Sequence, residues 1–416
     1  MKKWILLIFA CVFATYTPAQ NFTNSKPIYF PDTTQKLVTF KFKLINNLVV
    51  IPVKINNSDT LFFILDSGIK PTLITDLGAD QTLPLKYARE TAIRGLGHGA
   101  DLKVIQSVNN TIEISDAVGH AINLLVLPFD RFELSKQMGM RINGIIGADV
   151  FSSFIVMINY TKLEVTFFNP KYFKYRRYHN NWIKYPIIIY KDKPYITLPV
   201  QLNDTSQIMA TLLIDSGSSD ALWLFTRTHP LLDSLPSGNP VFIGQGLNGS
   251  IFGVQNYITA LHVGKKILKQ PLVSFPDSFS IRNSVSDDIL GRNGSIGGEI
   301  LSRFDVIFDY QNKFILLKPN HRFPDKFYRN LSGLNIVAPL IYLPVFEISS
   351  VSENSPAYNA GIRKGDFIVA INGVKCTNYT LNDIVHLLSA KPGKKIRMKL
   401  LRNGQPYKTY FYLQNP

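Results

Sequence analysis

The chain has 416 residues, enough for two or three domains, and its 46% hydrophobic and 12% aromatic content suits filled cores and excludes a disordered polymer. Its formal charge of +16 comes from 45 Lys and Arg against 29 Asp and Glu. These cations are spread along the chain and no nucleic-acid-binding motif accompanies them, so the reading is a solvated basic surface with no nucleic-acid partner.

The N-terminus reads as a secretory signal over residues 1–20. Met1-Lys2-Lys3 precedes the apolar run Trp4 to Ala14, and Thr17-Pro18-Ala19-Gln20 supplies small residues for cleavage. The expected destination is secreted or periplasmic, in a bacterial envelope. The run is short for a membrane span and no later stretch is longer, so no transmembrane segment is expected after cleavage. Cys11 lies inside the apolar run, a poor place for lipid attachment. With Cys11 removed, Cys376 remains alone and no internal disulfide is expected.

From Leu37 onward, short apolar runs alternate with Asn, Asp and Gly breaks. Val38 to Leu44, Leu48 to Ile55 and Leu61 to Leu65 read as successive strands, and long helical patterns are scarce until near the C-terminus. The fold class is mainly β. The chain also repeats itself. Leu61-Phe62-Phe63-Ile64-Leu65-Asp66-Ser67-Gly68 and Leu212-Leu213-Ile214-Asp215-Ser216-Gly217-Ser218-Ser219 place their aspartates 149 residues apart. Gly95-Leu96-Gly97 and Gly244-Gln245-Gly246 follow at the same distance from their aspartates. Ile145-Ile146-Gly147 matches Ser295-Ile296-Gly297, and Phe154 to Tyr160 matches Phe304 to Tyr310.

Each aspartate ends a buried strand at a tight turn, where Gly permits unusual backbone angles. One buried carboxylate is costly, and two facing each other are the ingredients of a water-activating site. Two ionised carboxylates about 3 Å apart repel by ~5 kcal/mol at an effective dielectric of ~20, so the pair shares a proton. The charged member then takes a proton from water while the neutral member donates one. The segment Gly244-Gln245-Gly246-Leu247-Asn248-Gly249 also fits a dinucleotide fingerprint, but a strand pattern follows it where a helix is required. The seven His residues show no metal-ligand spacing, and neither a metal nor an organic cofactor is expected.

The duplicated Asp-Ser-Gly loops, each followed by a hydrophobic-hydrophobic-Gly segment, resemble the aspartic peptidases. The short halves resemble retropepsin-type lobes fused in tandem, with limits of about 36–170 and 181–320. The resemblance implies two acid-protease β-barrel lobes related by a pseudo-two-fold axis, with Asp66 and Asp215 catalytic. It also implies support from Ser67, Gly68, Ser216, Gly217 and Ser218. Gly95, Leu96, Gly97, Gly244, Gln245 and Gly246 would form flaps, and a monomer would suffice to cleave a peptide or protein substrate. Ile69 and Lys70 depart from the small polar residues usual there. A cationic Lys70 at the dyad would keep both carboxylates ionised, which motivates the alternative of an inactive peptide-binding or envelope adaptor protein.

Residues 331–416 change character. Ser355-Pro356-Ala357, Ala360-Gly361-Ile362, Gly365-Asp366 and Ile371-Asn372-Gly373 resemble a small α+β PDZ domain of the bacterial secreted type. Asn372-Gly373 marks a hairpin, and Thr380 to Ala390 reads as a helix capped by Thr380. The resemblance implies a carboxylate-binding loop at Gly333, Leu334, Asn335 and Ile336, and a groove lined by Leu381, Val385 and Leu388 for the C-terminus of a peptide ligand.

Overall fold

The computed structural model describes residues 27–77, 83–93, 102–128, 132–178, 180–233, 241–246, 249–285 and 290–414. The signal segment, Cys11 and Gly95-Leu96-Gly97 lie outside them. The described residues form two compact units. One holds residues 27–128 and Asn143–Lys326, the other Phe132–Ile142 and Phe327–Pro416.

The first unit is almost entirely β, and its two halves repeat one arrangement. In the first half, strand Leu61–Leu65 pairs antiparallel with Leu48–Ile55 on one side and parallel with Gly144–Ile146 on the other. The short strand Leu73–Ile74 then pairs antiparallel with Gly144–Ile146. In the second half, Gln207–Ile214 pairs antiparallel with Lys193–Gln201 and parallel with Gly294–Ile296, which pairs antiparallel with Leu222–Leu224. The ends of both central strands that lead into the aspartates are buried on two faces, which explains why Leu61–Leu65 and Leu212-Leu213-Ile214 run apolar without alternation. Each fully buried Leu, Ile or Phe there contributes ~1.5–3 kcal/mol of transfer free energy, enough to anchor a carboxylate at the strand end.

A six-stranded sheet joins the halves. Ile155–Asn159 pairs antiparallel with Phe304–Asp309 in the register Val156↔Phe308, Met157↔Ile307, Ile158↔Val306. Met157 and Ile307 are repeat equivalents, 150 residues apart, so the pseudo-two-fold axis passes through that pair. The basic, aromatic segment around Lys171 to Arg177, whose sequence suggests a surface linker, is partly anchored. Phe173, Tyr175 and Tyr178 pack against Ile155, Ile307 and Leu316 of this sheet.

The second unit contains the five-strand path Leu334–Leu340, Val345–Val351, Phe367–Ile371, Lys395–Arg402 and Gln405–Tyr412, with Leu334–Leu340 at its edge. Val374–Lys375 hairpins back from Phe367–Ile371 through Asn372-Gly373, both at positive φ. The helix Leu381–Leu388 starts at a reciprocal cap. Thr380 Oγ1 accepts the Asp383 N–H, and the Asp383 carboxylate accepts the Thr380 N–H. Cys376 is a buried free thiol in this core, and burial pushes it up to about 11.

Candidate active site

The two Asp-Ser-Gly loops meet across the pseudo-axis. Ser67 Oγ donates to the Ile214 carbonyl at 2.6 Å and accepts the Ser216 N–H at 3.0 Å. Ser216 Oγ donates to the Leu65 carbonyl at 2.8 Å and accepts the Ser67 N–H at 2.9 Å. All four bonds are buried, and each half supplies what the other lacks. A serine hydroxyl is the smallest side chain that can donate and accept at once. An apolar replacement would strand two buried backbone groups at ~1–3 kcal/mol each.

This lattice brings the carboxyls of Asp66 and Asp215 into hydrogen-bond contact. Asp66 is 2% exposed and Asp215 0%. The Gly68 N–H donates to Asp66 Oδ1 at 2.6 Å, and the Gly217 N–H donates to Asp215 Oδ1 at 3.1 Å. Burial, and then the charge of Asp215, push the Asp66 carboxyl well above the usual range. Gly217 lies directly against the opposite carboxyl: a Cβ there would stand 2.3 Å from Asp66 Cγ and Oδ2. A Cβ on Gly147 would stand 2.0 Å from the Asp66 carbonyl. Ser218 is buried beside the second loop, its N–H donating to the Asp215 carbonyl at 3.3 Å.

Two residues surround the dyad that the sequence reading did not single out. The Tyr310 hydroxyl donates to the Ser67 carbonyl at 3.2 Å. Burial, with Asp66, Asp192 and Asp215 nearby, pushes this phenol well above its ordinary value. Lys193 is 4% exposed, and its charge acts to lower Asp66. Lys193 follows the turn Lys191-Asp192 as Leu48 follows Asn46-Asn47, an equivalence that the hairpin registers bring out. Lys70 takes no such place. It is half-exposed, with its ammonium 2.6 Å from Asp192 Oδ2.

Gly244 and Gly246 lie on strand Val241–Gly246, which hairpins onto Gly249–Tyr257 with Gly246↔Gly249 as the last pair. A hairpin rather than a strand-to-helix turn removes the dinucleotide reading. The equivalent hairpin of the first half pairs Tyr87–Ile93 with Leu102–Ile114, ending at Ile93↔Leu102. Gly95, Leu96 and Gly97, between those ends, are outside the described residues, as is the side chain of Gln245.

In the second unit Gly333 stands at φ 77°, where a side chain would be strained and would strike Ser355. Leu334, Asn335 and Ile336 begin the edge strand, paired with Val351, Ser350 and Ile348. Leu381 and Leu388 are core residues and Val385 is partly buried. The segment Phe132–Ile142 belongs to this unit and packs at the same place. A Cβ on Gly139 would stand 3.0 Å from Leu381 Cβ and 3.9 Å from Ala338 Cβ, and the Arg141 guanidinium lies over the Tyr342 ring.

Residues 51–150 match the aspartyl protease family model, and residues 347–402 match the PDZ domain model. The chain carries an aspartyl protease domain and a PDZ domain. A crystal structure of aspartic proteinase from Irpex lacteus is 12% identical, with a TM-score of 0.44 over 70% of this chain and 99% of that one. A protein of Lactococcus lactis subsp. lactis (strain IL1403), described as a zinc metalloprotease, LL2128, is 38% identical over 58 residues. That match spans 14% of this chain and 13% of the relative's length. Among the described residues, no group of three or more His, Cys, Asp or Glu is placed to hold a metal ion. Among them, too, no helix is long and apolar enough to cross a membrane.

Proposed function

We propose that this protein is a secreted or periplasmic aspartic endopeptidase that hydrolyses peptide bonds with a water activated between Asp66 and Asp215. The lobes at about 36–170 and 181–320 each supply one carboxylate, so a monomer holds a complete site. The single observation that carries the reading is the reciprocal Ser67–Ser216 lattice, which holds two buried carboxyls in contact. In that environment one carboxyl keeps its proton, as the upward displacement of Asp66 implies. The ionised partner removes a proton from water, the neutral one donates to the carbonyl oxygen of the scissile peptide, and no covalent intermediate forms. General acid–base assistance of this kind supplies ~10²–10⁴-fold. The glycine-bearing hairpins would close over a bound peptide and exclude water.

The alternative of an inactive binding scaffold rested on Lys70 at the dyad. Its ion pair with Asp192 weakens that motive. The N-terminal signal pattern supports export, and the PDZ edge strand with helix Leu381–Leu388 supports recognition of a peptide or protein. The test is cleavage of a mixed peptide library from pH 3 to 8 by the mature protein and by Asp215→Asn. Internal cleavage by the first and none by the second is expected. Equal cleavage by both, or none by the folded wild-type protein at any pH, overturns the proposal.

A further inference from the structure

The two halves can be superposed through their registers as well as their motifs. In the first half, Val50↔Ile64 continues to Leu48 level with Asp66. In the second, Tyr195↔Leu213 continues to Lys193 level with Asp215. Each of these residues closes a two-residue hairpin: Ile45↔Leu48 around Asn46 and Asn47, and Tyr190↔Lys193 around Lys191 and Asp192. All four turn residues have positive φ, between 47° and 64°. Leu48 and Lys193 therefore occupy one position of the repeat, and both are buried, at 0% and 4% exposure. One half fills that position with an aliphatic side chain, the other with a lysine at the level of Asp215.

We propose that Lys193 is a positioning residue of the peptidase, whose buried charge sets the pH range over which the Asp66–Asp215 pair holds one proton. This rests on the dyad reading above. A buried lysine is costly unless nearby negative charge offsets its desolvation, and the dyad provides that charge. The influence is reciprocal: the ammonium favours the ionised form of the pair and works against burial and mutual repulsion, which both raise Asp66. Among the described residues, other titratable groups lie close by, Asp149 among them, within reach of the charges of Lys70 and Asp192. Tyr310 comes from the end of strand Phe304–Asp309, and Asp192 from the Lys193 hairpin itself, where it is paired with Lys70 of the opposite loop. Leu48, at the equivalent place, contributes no charge. The field at the dyad is thus one-sided although the backbone is symmetric.

The sign follows from the charge. Removing the cation makes both proton losses of the pair harder, so both limbs of the pH profile move to higher pH. Lys193→Met keeps the aliphatic stem and removes the charge. The expected result is a rise of both limbs of kcat/KM on the order of one pH unit, with Lys193→Arg close to wild type. If Lys193→Met does not fold, Lys193→Gln makes the same comparison with a polar side chain. Carbon-13 titration of the Asp66 and Asp215 carboxyls reads the same displacement without turnover, so failure of this inference is distinguishable from an inactive dyad. Limbs and carboxyl titrations that stay within about 0.2 pH units of wild type in a folded variant overturn it, leaving Lys193 a structural cation only.

Discussion

The two lobes keep one backbone and divide its side-chain roles unequally. Where the carboxylates depend on it, symmetry is strict: Ser67 and Ser216 make the same two bonds each, and Gly68 and Gly217 each donate to their own aspartate. Where a hairpin turn of one lobe meets the Asp loop of the other, symmetry is relaxed. The Asn47 amide donates to the Ser219 carbonyl at 3.2 Å, while at the equivalent place Asp192 accepts from the Lys70 ammonium. The unusual Ile69-Lys70 sequence thus belongs to a latch between lobes, with Ile69 1% exposed in the core. Duplication leaves the geometry of the dyad under constraint from both halves and frees its surroundings to differ.

The largest effect that separates the lobes should come from the two glycines. Gly217→Ala drives a methyl to 2.3 Å from the Asp66 carboxyl, whereas the nearest atom to a Gly68 Cβ is Asp66 Oδ1 at 3.1 Å. Gly217→Ala is expected to lower kcat/KM at least ~100-fold through displacement of a reacting group, and Gly68→Ala to cost clearly less. Equal losses would mean that the dyad is centred. Next come the serines. Ser67→Ala and Ser216→Ala each strand two buried backbone groups and should each destabilise the fold by ~2–6 kcal/mol in denaturant unfolding. The double variant should cost less than their sum, because the two hydroxyls share one lattice. Strict additivity would argue against that lattice.

A pH effect of intermediate size comes from buried acids, of which Glu299 has a counterpart in the first lobe, the buried Asp149, and Asp220 has no acidic one. Asp220, five residues after Asp215, stands where the first half has Pro71. Burial pushes its carboxyl up to about 6, against hydrogen bonds from Trp223 and Ser274. Burial pushes Glu299 up to about 7, with Arg303 opposing. Folded-state values above the unfolded ones mean that the native state binds protons more tightly. This contribution is therefore present at low pH and is lost as pH rises from about 4 through 7, by on the order of 1–3 kcal/mol. Asp220→Asn should flatten the slope of stability over that range, and an unchanged slope would remove Asp220 from the account. The smallest effect is the latch. Lys70 and Asp192 are 51% and 39% exposed, so Lys70→Ala should cost no more than ~1 kcal/mol and fade in high salt.

Much of this was legible in the sequence because it repeats. Apolar runs ending in Asp-Ser-Gly fix where the carboxylates stand, and the spacing to Gly147 and Gly297 fixes the strand behind each one. The Asn372-Gly373 hairpin and the Thr380 cap likewise follow from local chemistry. Lys193 was hidden for a physical reason: a lysine before Pro194 and Tyr195 reads as an exposed turn residue, and only the register of the hairpin reveals that it is buried level with Asp215. The packing of Gly139 against Leu381 was hidden too, since no local pattern in Phe132–Ile142 announces a partner 242 residues ahead.

The most direct test of the central claim is kcat/KM for Asp66→Asn, Asp215→Asn and the double variant on one cleavable peptide at the optimum pH of the wild type. If the two carboxyls act as one shared-proton unit, each single variant loses at least ~10³-fold and the double variant loses no more than either. Substantial activity in either single variant, or losses that multiply in the double, would contradict a dyad built across the lobes.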